Sequence, residues 1–432
     1  MQALAESIAA SASPAEADGE TMKALLDQAV SRLVRLPVFS ASDYAALNAD
    51  VAQAGMNLAE HALLYGCAER RQIFRRDQLA RSWGEAIART SQSPASAGAE
   101  QPAADLPQSV SVFVSSWSEP AIGDLAKCLV QDLTHQGATA TIETERTIPG
   151  SELGAAIVVA PHDFFRLGFG PAWRKTALPR SALMLNTASL ASDAFAAALP
   201  YLLASRGVLD LSPQIADIIA QAGIPALQIR PRMPPRDRWL EDRDADHPLV
   251  RALPAEARRP ELVATDSRPI DVSFVGRHTP TRSAFLARIT PELRNYKTFF
   301  QLQLAAAELI DQLILTRAHY RFAGHLAARS KIALHVAEDE FDSLDWQMTF
   351  QAMAGGAVVV TDTCPPHGEF KAGVHLFQDD SRHLPDVIRW LLEDPDGRAA
   401  ADAAQAASQG LLADFQAAAP WPSRAAALWA TP

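Results

Sequence analysis

The chain has 432 residues, 48% hydrophobic and 21% charged, a globular composition too long for one ordinary core, so two or three domains are expected. Its formal net charge of -11, with pI ≈ 5.5, excludes a broad phosphate-neutralising face for nucleic acid, and any anion site must be local. The opening MQALAESIAASASPAEADGE has neither the basic nor the apolar region of a secretory leader, and no apolar run approaches the ~20 residues that a bilayer requires. A cytoplasmic protein is therefore expected, with a peripheral position at the inner membrane face as the alternative. Cys67, Cys128 and Cys364 are odd in number, widely spaced and without a C-x-x-C pair, which predicts reduced, structural thiols and no zinc or redox centre.

In chain order, FSASDYAALNADVAQAGMNLAEHALLYG predicts short helices, with Ser42 as the first N-cap, Asn57 and Glu60 forming a capping-box-like start, and Gly66 as the stop. RTSQSPASAGAEQPAADLPQS, residues 89–109, has a linker composition and sets off a helical module at 1–88. Strands are predicted at Val110–Val114, Ala138–Ile142, Ala155–Ala160, Ala182–Leu185 and Val208–Leu211, with helices between them. A second series starts at Asp271: DVSFVG, SKIALHV, AVVVTD and HLF read as strands, and TRSAFLARI, DWQMTFQAM and LPDVIRWLLED as helices. Each alternation predicts a parallel sheet covered on both faces. The expected architecture is α/β: two Rossmann-like domains, 110–265 and 266–410, facing across a cleft, with a helical tail at 411–432.

In such sheets ligands bind beyond the carboxyl ends of the strands, so the candidate motifs are those at strand ends. QAMAGGAVVVTD, Gln351 to Asp362, runs from a helix through Gly355 and Gly356 into a buried strand, so Thr361 and Asp362 are expected at the ligand edge. FVGRHTPTR offers Gly276 for close backbone approach, and Arg277 and Arg282 to meet a diphosphate, against the plainer reading of a solvated basic turn. It is neither a dinucleotide fingerprint nor a P-loop. In VVAPHDFF, His162 and Asp163 follow a strand and are the acid/base candidates of the first half, although most lone histidines are structural. SKIALHVAEDEFDSLDW places Lys331 and His335 to touch a phosphate or sugar, while its acids, irregularly spaced, read as a surface loop and not a metal site. EDRDADHP contains D-x-D twice but lies in a polar connector.

FVGR after a strand, then QAMAGG, VVVTD, FKAGVHLF and LLEDPDGR resemble, in order and spacing, the donor-binding domain of GT-B glycosyltransferases, most nearly the bacterial spore-coat-maturation-like (CgeB-like) group. GDLAKCLVQDLTHQG and APHDFF are similar to that family's acceptor-side domain. DYAALNADVAQAGMNLAEHALLYG resembles a helical module found beside polysaccharide-building transferases. The resemblance implies transfer from a nucleotide-sugar donor to a saccharide, lipid-linked or protein acceptor, with no metal, no cofactor and a protein partner for the helical module. It also implies Gly276, Arg277 and Arg282 at the diphosphate, Gln351 at the ribose, Gly356 in close approach, and Lys331, His335 and Thr361 lining the site. His162 and Asp163 would face the acceptor. One departure is that Gln351 and Ser343 stand where retaining relatives carry an E-x7-E pair of acids. A nucleotide-sugar epimerase and a binding or scaffold protein are the alternatives; hydride transfer lacks its glycine-rich fingerprint.

Overall fold

The computed structural model describes residues 19–92, 105–147, 154–174, 176–232, 248–258, 267–303, 322–341, 344–365, 370–417 and 420–430. They form two compact α/β units.

The first unit is built on a six-stranded parallel sheet: β1 (Ser109–Val114), β2 (Thr139–Thr144), β3 (Ala155–Val159), β4 (Leu183–Asn186), β5 (Gly207–Asp210) and β6 (Ala226–Gln228). Their order is β2-β1-β3-β4-β5-β6. From β1 the chain goes one way to β2 and then the other way to β3, so β1 and β3 flank the topological switch point. Val110, Val112 and Val114 alternate into a core with Leu125, Leu129 and Leu133 of the helix Pro120–His135. Phe113 takes the opposite face against Phe164 and Trp173. Gly137, at φ 93°, turns the chain from that helix into β2, where most side chains would be strained.

The helices before β1 belong to this unit. Gly19–Arg35 packs on the helix Asp193–Ala204, where Arg32 Nη1 donates to the Leu203 carbonyl at 2.6 Å. Arg76–Gln92 packs on Pro213–Gln221, where Arg89 pairs with Asp217 at 2.9 Å. That helix also takes up the first residues of the expected linker, whose 93–104 stretch lies outside the described residues. Two local expectations are corrected. The N-cap of Ala41–Leu47 is Ser40, which accepts from the Asp43 N–H, and Ser42 instead touches the Ser40 hydroxyl. The helical run from Leu58 does end at Gly66, but as the last residue of a π-helical turn and not as a left-handed residue beyond it, and a Cβ there would lie 2.5 Å from the Tyr44 hydroxyl. Asn57 does cap Leu58–His61 through the Glu60 N–H.

The helix Trp421–Ala430 also belongs to the first unit. Trp421, Ala425 and Trp429 share the core of β1 and β3. Trp421 Nε1 donates to the fully buried Asp132 carboxylate at 2.7 Å, and Arg232 pairs with that carboxylate at 3.2 Å.

The second unit has five parallel strands: β7 (Ile270–Arg277), β8 (Thr298–Gln303), β9 (Ser330–His335), β10 (Val358–Thr361) and β11 (Leu376–Gln378). Their order, β11-β10-β9-β7-β8, puts a switch point between β7 and β9. Val272, Phe274, Ile332, Leu334, Val358 and Val360 pack one face against the helices Pro280–Ile289 and Leu384–Glu393. Val359 and Leu376 pack the other against Trp346, Phe350 and Met353. No helix among the described residues is long and apolar enough to cross a membrane. Cys67, Cys128 and Cys364 form no disulfide.

Candidate functional site

In the first unit the loop after β1, Ser115–Ser118, is pinned on both sides. The Ser116 N–H donates to Glu145 Oε2 at 2.7 Å and its hydroxyl donates to Glu145 Oε1, just beyond β2. The Ser118 hydroxyl donates to Asp163 Oδ2 at 2.9 Å, just beyond β3. His162 and Asp163 therefore sit at the switch point, with His162 Nε2 3.7 Å from Asp163 Oδ1 and both side chains partly exposed. The chain reaches them through Ala160, a non-glycine residue in the left-handed region at φ 50°. Such strain persists only where the surroundings impose it, and it gathers at working sites. Here the Ala160 carbonyl accepts from the Asp163 and Phe164 N–H groups and its N–H donates to Leu185. The loop hydroxyls and Glu145 escaped sequence reading, although SSWS directly after an apolar strand is a visible hydroxyl cluster at a strand end.

In the second unit Arg277 ends β7 with its side chain 65% exposed, its Nε 3.3 Å from Glu338 Oε1. Arg282 is almost fully buried. It donates to the Val336 carbonyl at 2.8 Å and to Glu338 Oε1 at 2.6 Å, so it fixes the loop after β9 and orients the carboxylate that Arg277 shares. Glu338, expected on the surface, is thus the anion that these arginines hold at the switch point. Asp339 bonds the Phe341 N–H and Asp345 caps the helix Trp346–Ala354.

Several expected site residues are placed elsewhere. Lys331 starts β9 and pairs with Asp271 near the start of β7 at 2.8 Å, at the amino edge of the sheet, the wrong end for a ligand. Gly356 also lies at the amino end of its strand, β10. Its carbonyl accepts from Gln405, and at φ 76° it serves the turn out of the helix. His335 does reach the carboxyl end but has both ring nitrogens engaged: Nε2 accepts from the Asp345 N–H at 3.1 Å, so Nδ1 carries the proton and donates to Thr361 Oγ1 at 2.9 Å. Burial, and then the Arg282 charge, push its pKa down to about 3. Thr361 is fully buried, and its hydroxyl donates to the Asp362 carbonyl at 3.2 Å. His335 and Thr361 are therefore a structural relay. The space over Gly276 is filled as well, since a Cβ there would meet the Phe274 ring at 2.8 Å. Asp362 accepts from the Ala337 N–H, and burial raises its pKa.

Gln351 is buried on the helix Trp346–Ala354, and its Oε1 has no hydrogen-bond partner. Ser343 and the D-x-D connector lie outside the described residues. Among the described residues no group of three or more His, Cys, Asp or Glu side chains is placed to hold a metal ion.

No protein-family model matches the chain, and no curated protein matches its sequence. Among solved structures the chain is similar to Anabaena Alr3699/HepE in complex with UDP and glucose, at 15% identity and TM-score 0.45, covering 71% of this chain and 97% of that one. It is similar to AviGT4, a glycosyltransferase involved in avilamycin A biosynthesis, at 14% identity and TM-score 0.42, covering 75% and 98%. It is also similar to a UDP-N-acetylglucosamine 2-epimerase, at 11% identity and TM-score 0.30, covering 71% and 95%. At these values the likenesses assign no activity.

Proposed function

We propose that the chain is a GT-B glycosyltransferase, taking a nucleoside-diphosphate sugar at the switch point of the second unit and an acceptor hydroxyl at that of the first. One observation carries this reading. The two sheets repeat the same strand order, and their switch points hold complementary chemistries: exposed and buried guanidinium groups around Glu338 in one, a carboxylate with imidazole and hydroxyl neighbours in the other. Arg277 is the diphosphate contact, and Arg282 holds Glu338 and the loop in place. As the diphosphate departs its charge grows, and fixed cations stabilise it without reorganising. In an inverting reaction His162 or Asp163 takes the proton of the acceptor hydroxyl, whose oxygen bonds the anomeric carbon as the carbon–oxygen bond to the diphosphate breaks. In a retaining reaction the pair positions the hydroxyl. Gln351 offers its amide oxygen to a ribose hydroxyl.

The test is calorimetric titration with UDP, which HepE holds in its structure, then GDP, dTDP, CMP and ADP, without metal and with magnesium. One nucleotide should bind without metal, and Arg277→Ala should weaken it about tenfold or more. Unchanged affinity in a folded variant would overturn the donor assignment. The second reading, a binding protein that kept the fold, is favoured by the burial of Gln351 and the closed His335–Thr361 relay. Absence of binding by all five nucleotides would select it.

A further inference from the structure

A large aromatic side chain stands out in water at the carboxyl edge of the first sheet. Phe169 is 68% exposed, the most exposed of the large hydrophobic residues described. Burial of a phenylalanine is worth so much that a short turn would ordinarily tuck it in. This turn holds it out. On one side Gly168 has φ 53°, and a Cβ there would lie 2.7 Å from Trp117 Nε1 and 3.0 Å from Glu145 Oε1. On the other, a Cβ on Gly170 would lie 1.7 Å from the Phe164 carbonyl oxygen. Neither position accepts another residue without moving its surroundings, so the backbone that presents Phe169 is clamped at both neighbours. The preceding turn is tied as well: the Asp163 carbonyl accepts from the Arg166 and Leu167 N–H groups, and the Leu167 carbonyl accepts from Gly170.

What this turn lies against is the pinned loop after β1. Trp117, half-buried, sits between Ser116 and Ser118, which Glu145 and Asp163 anchor, and Gly168 runs directly over its indole. Trp117, against Gly168, and the exposed Phe169 that follows it thus accompany the partly exposed His162 and Asp163 at the switch point. Aromatic faces carry partial negative charge and attract the weakly positive C–H faces of a pyranose, while carboxylate and imidazole groups bond its hydroxyls. A sugar ring needs the combination present here.

We infer that Phe169 and Trp117 form a saccharide subsite beside His162 and Asp163, in which Phe169 is a positioning and specificity residue for a pyranose. The inference rests on the transferase reading only in making that pyranose the acceptor.

The experiment titrates the full chain with methyl glucoside, methyl galactoside, methyl mannoside, N-acetylglucosamine, cellobiose and maltose, followed by saturation-transfer NMR and calorimetry, in the wild type, Phe169→Ala and Phe169→Trp. At least one saccharide should bind the wild type. Its affinity should fall about tenfold in Phe169→Ala and be kept in Phe169→Trp, with the unfolding midpoint and nucleotide affinity unchanged in both. Equal binding by Phe169→Ala, or no binding of any of the six by the wild type, overturns the subsite. The nucleotide titration separates the two readings: Phe169-dependent saccharide binding without nucleotide binding keeps the subsite and removes the transferase, and nucleotide binding without saccharide binding does the reverse.

Discussion

The two switch points occupy the same topological position in two sheets of the same order, yet they are made of different chemistry. In the first unit, serine hydroxyls donate to Asp163 and Glu145, leaving the loop anchored and an imidazole with a carboxylate at the edge. In the second, two arginines converge on Glu338, one buried and one in water. The topology fixes where a ligand can meet the protein, and the residues after β1, β3, β7 and β9 decide what kind of ligand it is. The backbone differs too: at the first switch point strain sits at Ala160, whereas the glycine at the end of β7 makes room for a phenyl ring.

That contrast can be broken by mutation. The largest effect is expected in turnover. With an acceptor in hand, His162→Ala and Asp163→Asn should each be assayed for kcat, and at least one should lose about a hundredfold or more while nucleotide affinity stays constant. If both lost nucleotide binding instead, the division of labour between the units would be wrong. Next is Arg282→Ala, which strips a buried cation from Glu338 and the Val336 carbonyl; it should destabilise the second unit by about 3 kcal/mol in denaturant unfolding. Arg277→Ala, losing an exposed pair, should cost less than ~0.5 kcal/mol.

Acidity sharpens the comparison further. His335, with its pKa lowered to about 3, stabilises the second unit fully above the unfolded value near 6.5 and progressively less as pH falls toward 3. Burial raises the Asp210 pKa to about 7 although Asn186 and Ser212 donate to it, so the first unit is most favoured at low pH and loses that contribution as pH rises from about 4 through 7. Between pH 7 and 5, hydrogen exchange should speed up in the strands of the second unit relative to the first; parallel behaviour would show that neither burial is felt. A small effect is expected at Gln351→Met, which removes a buried amide oxygen without a partner and should leave the unfolding free energy unchanged or raise it by up to ~1 kcal/mol, with nucleotide affinity reduced.

Much of this arrangement is legible from sequence. Central strands such as Val358–Thr361 announce themselves by continuous β-branched runs, because both faces are buried. The strands that went unread, Ala226–Gln228 and Thr298–Gln303, are edge strands with polar or half-buried residues and no such run. His162, Asp163 and Arg277 could be placed at strand ends, and Arg282 at the start of the helix that follows β7, from order alone. Partners could not: Glu338 meets Arg282 across 56 positions and His335 meets Thr361 across 26. Only those distant pairings show that His335 and Thr361 are already satisfied. Lys331 and Gly356 lie at or just before the amino ends of β9 and β10, away from the carboxyl edge where ligands of such sheets bind.

The helix Trp421–Ala430 has a consequence for biosynthesis. Its Trp421, Ala425 and Trp429 complete a core whose other members begin at Val110. As the chain leaves the ribosome, the first sheet can pair its strands early, but one apolar face and the Asp132 carboxylate wait for residues made some three hundred positions later. Until then that apolar face stays uncovered, and a stop codon placed just before Trp421 would leave the first sheet without the residues that complete its core.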